Sequence, residues 1–173
     1  MSKHLGNVLE PMALMDQHGA DAVRWYMLAA GSPWASRRVG HDAISDVIRK
    51  TLLTYWNTVS FHALYAQASA FNLSQSPEYG DRTVMDHWIL SELNTLITEV
   101  DDAYSHFDSQ RAGKALATFI DDLSNWYVRR SRRRFWDGDA AALATLHECL
   151  TTLTQLLAPM VPFISEDVWQ KLV

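Results

Sequence analysis

The chain has one cysteine, Cys149, in 173 residues. A lone thiol excludes an internal disulfide framework and any thiolate-rich zinc site. Glycine and proline are sparse, at 7 and 5. Sustained period-two alternation is missing, and no Asn-Gly or Asp-Gly lies between two apolar runs, so strands are not expected. No apolar run reaches the ~18 residues of a membrane span. Met1–Asn7 lacks the apolar core of a signal peptide. These absences predict a soluble, cytoplasmic protein without a membrane partner. The seven histidines, at 4, 18, 41, 62, 87, 106 and 147, show no helical metal-ligand spacing, so no metal site is expected. Walker and Rossmann glycine motifs and a G-x-S-x-G elbow are also absent. The adjacent acids Asp101-Asp102 and Asp121-Asp122 point in different directions on a helix and make poor dyads. No independent active site assembles.

What remains is apolar and helical. Hydrophobic residues make up 48% of the chain and the net charge is −5, which excludes wholesale disorder. Ile44, Val47, Ile48, Tyr55, Val59 and Ala63 predict a helix over 42–68, with Asp42 as its N-cap. Met85, Trp88, Ile89, Leu93, Leu96, Val100, Ala103 and Phe107 form the stripe of a second helix over 84–107. The segment Thr83-Val84-Met85-Asp86 fits a capping box before it. Ala112, Leu116, Phe119, Ile120, Leu123 and Trp126 point a third helix, 109–136, inward. Gly138 suits its C-terminal cap and Asp139 the next N-cap. Leu143, Leu146, Leu150, Leu153 and Leu157 mark a fourth helix over 139–158, stopped by Pro159 and Pro162. A short helix follows from Ser165. Cys149 falls within the leucine pattern and reads as a packed core thiol. The expected fold is all-α: an antiparallel helical bundle over 41–173, preceded by a loop and helix appendage over 1–40. Both edges are abrupt, which predicts a C-terminally truncated piece of a larger protein.

The strongest local feature runs from Asn125 to Trp136. Arg129, Arg130, Arg132, Arg133 and Arg134 are five of 15 cations, set between aromatic residues. Cations at a helix C-terminus complement its dipole, but one or two suffice. Five in six residues cover almost every face and repel one another, a cost that an anionic partner or local carboxylates such as Asp121, Asp122, Asp137 or Asp139 must offset. Guanidinium forks suit phosphates and stack on bases. Trp126 continues the apolar stripe and is expected in the core, whereas Phe135 and Trp136 lie at the helix end as candidate binding aromatics. The net charge hides this asymmetry, and a phosphate meets local potential. A second feature, Met1-Ser2-Lys3-His4-Leu5-Gly6-Asn7, offers a lysine and loop amides suited to phosphate.

Met1–Asn7 resembles the KMSKS signature of class I aminoacyl-tRNA synthetases, with its first lysine absent and its last serine replaced by His4. Gly19-Ala20-Asp21-Ala22-Val23-Arg24-Trp25-Tyr26 resembles the segment that follows it in the large synthetases for aliphatic amino acids. Trp126–Trp136 is similar to the anticodon-binding domain of isoleucyl-tRNA synthetases, and Leu157-Ala158-Pro159-Met160-Val161-Pro162-Phe163-Ile164-Ser165-Glu166 to its closing turn. The resemblance implies a fragment that binds the anticodon stem-loop of tRNA(Ile) and docks on the catalytic domain of the same polypeptide. It implies that the parent enzyme uses ATP with Mg2+, and that Met1, Ser2 and above all Lys3 face the ATP phosphates. Motifs for amino-acid activation lie outside this sequence, so the fragment is expected to be inactive and monomeric, with no catalytic residue of its own. Arg129, Arg130, Arg132, Arg133, Arg134, Phe135 and Trp136 are the expected tRNA contacts, and Arg37 and Arg38 are expected at the inner stem. Competing readings are a valyl- or leucyl-type synthetase, and a helical interaction module using its arginines on an acidic protein. An autonomous ATP-using enzyme lacks a phosphate cradle.

Overall fold

The computed structural model describes residues 9–32, 34–36, 39–72 and 77–173. Every regular element among them is helical. Helices α1 (Pro11–His18) and α2 (Ala20–Ala29) join at Gly19, whose φ of +84° favours glycine. A continuous rod follows: α3 (His41–Val47), a π turn (Ile48–Leu52) and α4 (Leu53–Ala68). Then come α5 (Val84–Ser105) and a second rod built of α6 (Ser109–Asp121), a π turn (Asp122–Val128) and α7 (Arg129–Trp136). The chain closes with α8 (Ala140–Leu157) and α9 (Pro162–Leu172). The all-α expectation holds among the described residues.

The local signals mostly act as their chemistry dictates. Thr83 and Asp86 form the capping box of α5. Gly138, at φ +72°, follows the end of α7, and the Asp139 carboxylate accepts from the Ala142 amide at 3.0 Å. Three of the expectations about helix ends and their flanking residues are corrected. Asp42 lies in the first turn of α3 instead of capping it, because extended Gly40 already serves as the N-cap; there its carboxylate still complements the dipole. The last helix begins at Pro162, not Ser165, since proline suits the first helical position, where its missing N–H is no loss. Phe107 is 92% exposed. Helix α5 has already ended at Ser105, and the left-handed turn at Phe107 (φ +57°) carries its ring away from the stripe.

The core is built around α8. Leu143, Leu146, Leu150, Leu153 and Leu157 are completely buried, as is Cys149, whose thiol burial pushes far above its ordinary pKa. Residues 1–40 contribute to the same core through Leu14, Ala22, Trp25 and Tyr26. Helix α2 meets α6 so closely that a Cβ on Gly113 would stand 2.3 Å from that of Ala29. Ser109 Oγ donates to the Leu28 carbonyl at 2.8 Å beside this contact. One turn apart on α2, Asp21 and Arg24 grip the turn between α8 and α9. Asp21 accepts from the Ile164 amide at 2.7 Å, while Arg24 donates to the Pro159 and Met160 carbonyls at 2.9 and 3.0 Å. Each charge meets the helix end whose dipole it complements.

The second π turn sets the direction of everything after it. Leu116, Ile120 and Leu123 face inward. An unbroken 3.6-residue period would next bring Trp126 or Tyr127 inward, followed by Arg130 and Arg134. The wider turn delays the pattern by about one residue, and Tyr127, Ser131 and Phe135 take the buried positions. Trp126, expected in the core, is therefore 47% exposed.

One buried group gives the bundle a pH dependence. His62 on α4 packs 5.3 Å from the ring of His147 on α8 and edge-on to Phe71, and its Nε2 has no hydrogen-bond partner among the described residues. Burial first, and His147 second, push its pKa down to about 4. The unfolded chain takes up this proton near pH ~6.5. The stabilisation is thus complete above that pH and is lost as pH falls toward about 4, by up to about 3 kcal/mol. Urea midpoints measured from neutral pH downward should decline across this window, and His62→Leu should flatten the decline.

Candidate nucleic-acid interface

The Arg-rich run is the last two turns of the 109–136 rod, and its side chains divide by direction. Arg129, Arg130, Arg132 and Arg133 are exposed, whereas Arg134 is partly buried and Phe135 fully buried. Trp126 and Trp136, exposed by 47% and 62%, stand at the two ends of the cationic stretch. Each carries a guanidinium: Arg130 lies 3.9 Å from the Trp126 ring centroid and Arg132 5.9 Å from that of Trp136. These cation–π contacts keep the long side chains close to the aromatic surfaces. Among the described residues, Arg129, Arg130 and Arg132 make no salt bridge. Arg133 has only a loose, solvated approach to Asp137 at 3.9 Å, a type of pair that contributes little. The face therefore offers charge that the described residues do not neutralise.

Beside it, α4 and the rod enclose a groove of about 310 Å³ lined by Asn57, Thr58, Phe61, Ser124, Val128, Arg129 and Arg132. Its mixture of amide, hydroxyl, aromatic and guanidinium groups suits an unstacked base and its phosphate. Asn57 is an addition to the expected site residues. It carries no signal of its own in the sequence, and only the packing of α4 against the rod brings it beside the arginines.

Two of the expected tRNA-binding residues turn the other way. Phe135 packs edge-on against Phe61 and Tyr127, with ring centroids at 5.2 and 6.2 Å, and presents nothing to a ligand. Arg134 donates through Nη1 to Asp86 at 2.8 Å and through Nε to Asp139 at 2.7 Å. The same Asp86 oxygen accepts from the Tyr127 hydroxyl at 2.6 Å, and the other accepts from the Thr83 amide and hydroxyl at 2.7 and 2.9 Å. Burial alone would raise the Asp86 pKa, but the bonds from Arg134, Tyr127 and Thr83 outweigh it and hold the carboxyl below its usual value. Burial likewise opposes the charge of Arg134, which Asp86 and Asp139 more than restore. The sequence offers Asp139 as a partner for the run. It marks Asp86 only as part of a helix cap, because the pairing with Arg134 spans 48 residues.

The remaining expected site residues, Met1, Ser2, Lys3, Arg37 and Arg38, lie outside the described residues. Among the described residues no three His, Cys, Asp or Glu side chains converge as metal ligands, and no helix is long and apolar enough to cross a membrane.

Comparison with known proteins places these helices. Residues 86–173 match the family model described as the anticodon-binding domain of tRNA ligase. Residues 1–37 match that of the class I tRNA synthetases for I, L, M and V. The chain is 65% identical over its full length to an isoleucine–tRNA ligase of Streptomyces avermitilis and 64% identical to one of Streptomyces coelicolor. It spans 17% of the length of each of these relatives. Among solved structures, a Mycobacterium tuberculosis methionyl-tRNA synthetase in complex with methionyl-adenylate superimposes with a TM-score of 0.80 at 20% identity, over 97% of this chain and 34% of that one. A leucyl synthetase from Agrobacterium radiobacter, in a ternary complex with tRNA, gives 0.73 at 22% identity, over 99% and 20%. At such identities these two structures establish the shared fold.

Proposed function

Since this chain belongs to the family of anticodon-binding domains of tRNA ligases, we propose that it docks the anticodon stem-loop of tRNA(Ile) within an isoleucine–tRNA ligase. The observation that carries this reading is the division of the Arg-rich run. Four guanidinium groups point outward between two exposed tryptophans, while the fifth is used internally. Phosphates of the loop would meet Arg129, Arg130, Arg132 and Arg133, and unpaired bases would stack on Trp126 and Trp136. Arg37 and Arg38 would approach the inner stem. Isoleucine as the amino acid is supported by the identity of the relatives, and ATP with Mg2+ by the class I match. Lys3, with Ser2 and Met1, would serve the ATP phosphates beside the catalytic domain of the same polypeptide, in the cytoplasm.

The test is a salt series of the chain binding a tRNA(Ile) transcript, with Arg130, Arg132 and Arg133 changed to Ala singly. Each arginine taken away from a phosphate of single-stranded RNA should lower the slope of log K against log salt by about 0.7. An anticodon-swapped transcript should bind more weakly. Unchanged affinity and slope in all three variants would sink the assignment of the face.

A further inference from the structure

We infer that Asp86 is a positioning residue for RNA recognition: it fixes the orientation in which α7 presents its outward arginines. The inference rests on the tRNA-binding reading of that face. It comes from what a single carboxylate holds. Asp86 has no exposed surface, and four donors occupy its two oxygens, about as many as a carboxylate accommodates.

Two of those donors share Oδ1. Tyr127 approaches from the π turn and Arg134 from near the end of α7. They stand about two helical turns apart and straddle Arg129, Arg130, Arg132 and Arg133. One oxygen therefore pins the inner edge of the helix at both ends of the cationic stretch. The bond from Arg134 to Asp139 ties the same edge to the start of α8. Three helices thus meet at one charge.

A charged pair is not needed to make this junction stable, because well-packed apolar side chains often serve as well or better. Directional bonds do add a fixed geometry. The preceding π turn gives that geometry a purpose, since a register displaced by one residue must be held against slipping back. Were α7 to rotate by one residue, about 100°, Arg130 and Arg134 would move toward the core and the outward set would scatter.

The sign of one substitution tests this. Asp86→Asn removes a negative charge beside a cationic face and retains a side-chain oxygen as acceptor. If Asp86 influenced RNA only through the electric field, the variant would bind tRNA more tightly. As a positioning residue, its loss should weaken binding about fivefold or more at constant salt, the effect of about 1 kcal/mol. Hydrogen exchange on the free protein supplies a second arm. Amides of residues 129–136 should exchange about tenfold faster while those in the middle of α5 keep their protection.

Equal or tighter tRNA binding by Asp86→Asn overturns the inference, as does unchanged exchange in α7. If the unaltered chain binds no tRNA, the functional reading fails separately, and the exchange arm alone decides whether Asp86 orients α7. Should Asp86→Asn not fold, Tyr127→Phe deletes one Oδ1 donor without changing charge and is judged by the same two arms.

Discussion

Arg134→Met is expected to lower the unfolding free energy by about 3–5 kcal/mol, although it removes only one arginine from a run of five. The reason lies in what it leaves behind. Asp86 is fully buried and would lose its charged partner while remaining out of reach of water. Breaking such a pair from one side costs far more than the pair contributes, because the desolvated charge stays. The guanidinium bond to Asp139 would go as well. Denaturant midpoints should therefore fall steeply at constant m-value. Arg133→Met, on the neighbouring exposed arginine, should change stability by less than about 0.5 kcal/mol. The double variant Asp86→Leu/Arg134→Met should recover most of the loss, since it removes both ends of the problem. Acid provides a further check. Asp86 ionises more readily in the native state than in the unfolded chain. Its contribution is hence complete above its unfolded pKa and fades only below about pH 4, beneath the window of His62. A deficit in Arg134→Met that did not shrink on acidification would argue against an orphaned carboxylate as its cause.

Phe135→Ala should destabilise the bundle by about 3–5 kcal/mol, the cost of a large cavity in a packed core. The ring is wholly buried, against Phe61 of α4 and Tyr127 of the π turn. Its neighbour should behave in the opposite way. Trp136 is 62% exposed, so Trp136→Ala should leave the denaturation midpoint nearly unchanged. It should instead weaken tRNA binding by about 1–3 kcal/mol if a base stacks there. Denaturation and tRNA titration of both variants separate a folding aromatic from a binding one. Equal losses of stability would mean that Trp136 belongs to the core as well.

These adjacent pairs also show what the sequence could and could not disclose. Helix spans and caps depend on neighbours within a few residues. Thr83 with Asp86, and Gly138 with Asp139, are accordingly legible as local patterns. The leucines of α8 repeat at steps that only a helix brings to one side. The clustering of arginines is equally plain, and so is its suitability for phosphate. Their assignment as outward or inward is not legible, because it depends on the π turn. Periodicity counting assumes a constant turn, and a seven-residue departure from Asp122 to Val128 is invisible to it. That is why periodicity places Trp126 inside, while Phe135, at the helix end beside the arginines, reads as a binding aromatic. The groove beside Arg129 and Arg132 is hidden for another reason. Asn57 sits on α4, and nothing local in its surroundings marks it as a neighbour of residues some seventy positions away. Asp86 combines both difficulties: a local role that explains its presence, and a distant one that local reasoning does not require.

The grip of α2 on the last turn of the bundle has a consequence for how the molecule is made. The bonds from Arg24 to Met160 and from Ile164 to Asp21 join residues 136 and 143 positions apart. At about 5–20 residues per second, a ribosome takes roughly 7–30 s to synthesise the intervening chain. Throughout that interval Asp21 and Arg24 lack the helix ends that they grip in the folded chain. Helix α2 is made well before the turn between α8 and α9 that it grips, so a chain under synthesis passes through a stage in which α2 lacks its final anchor.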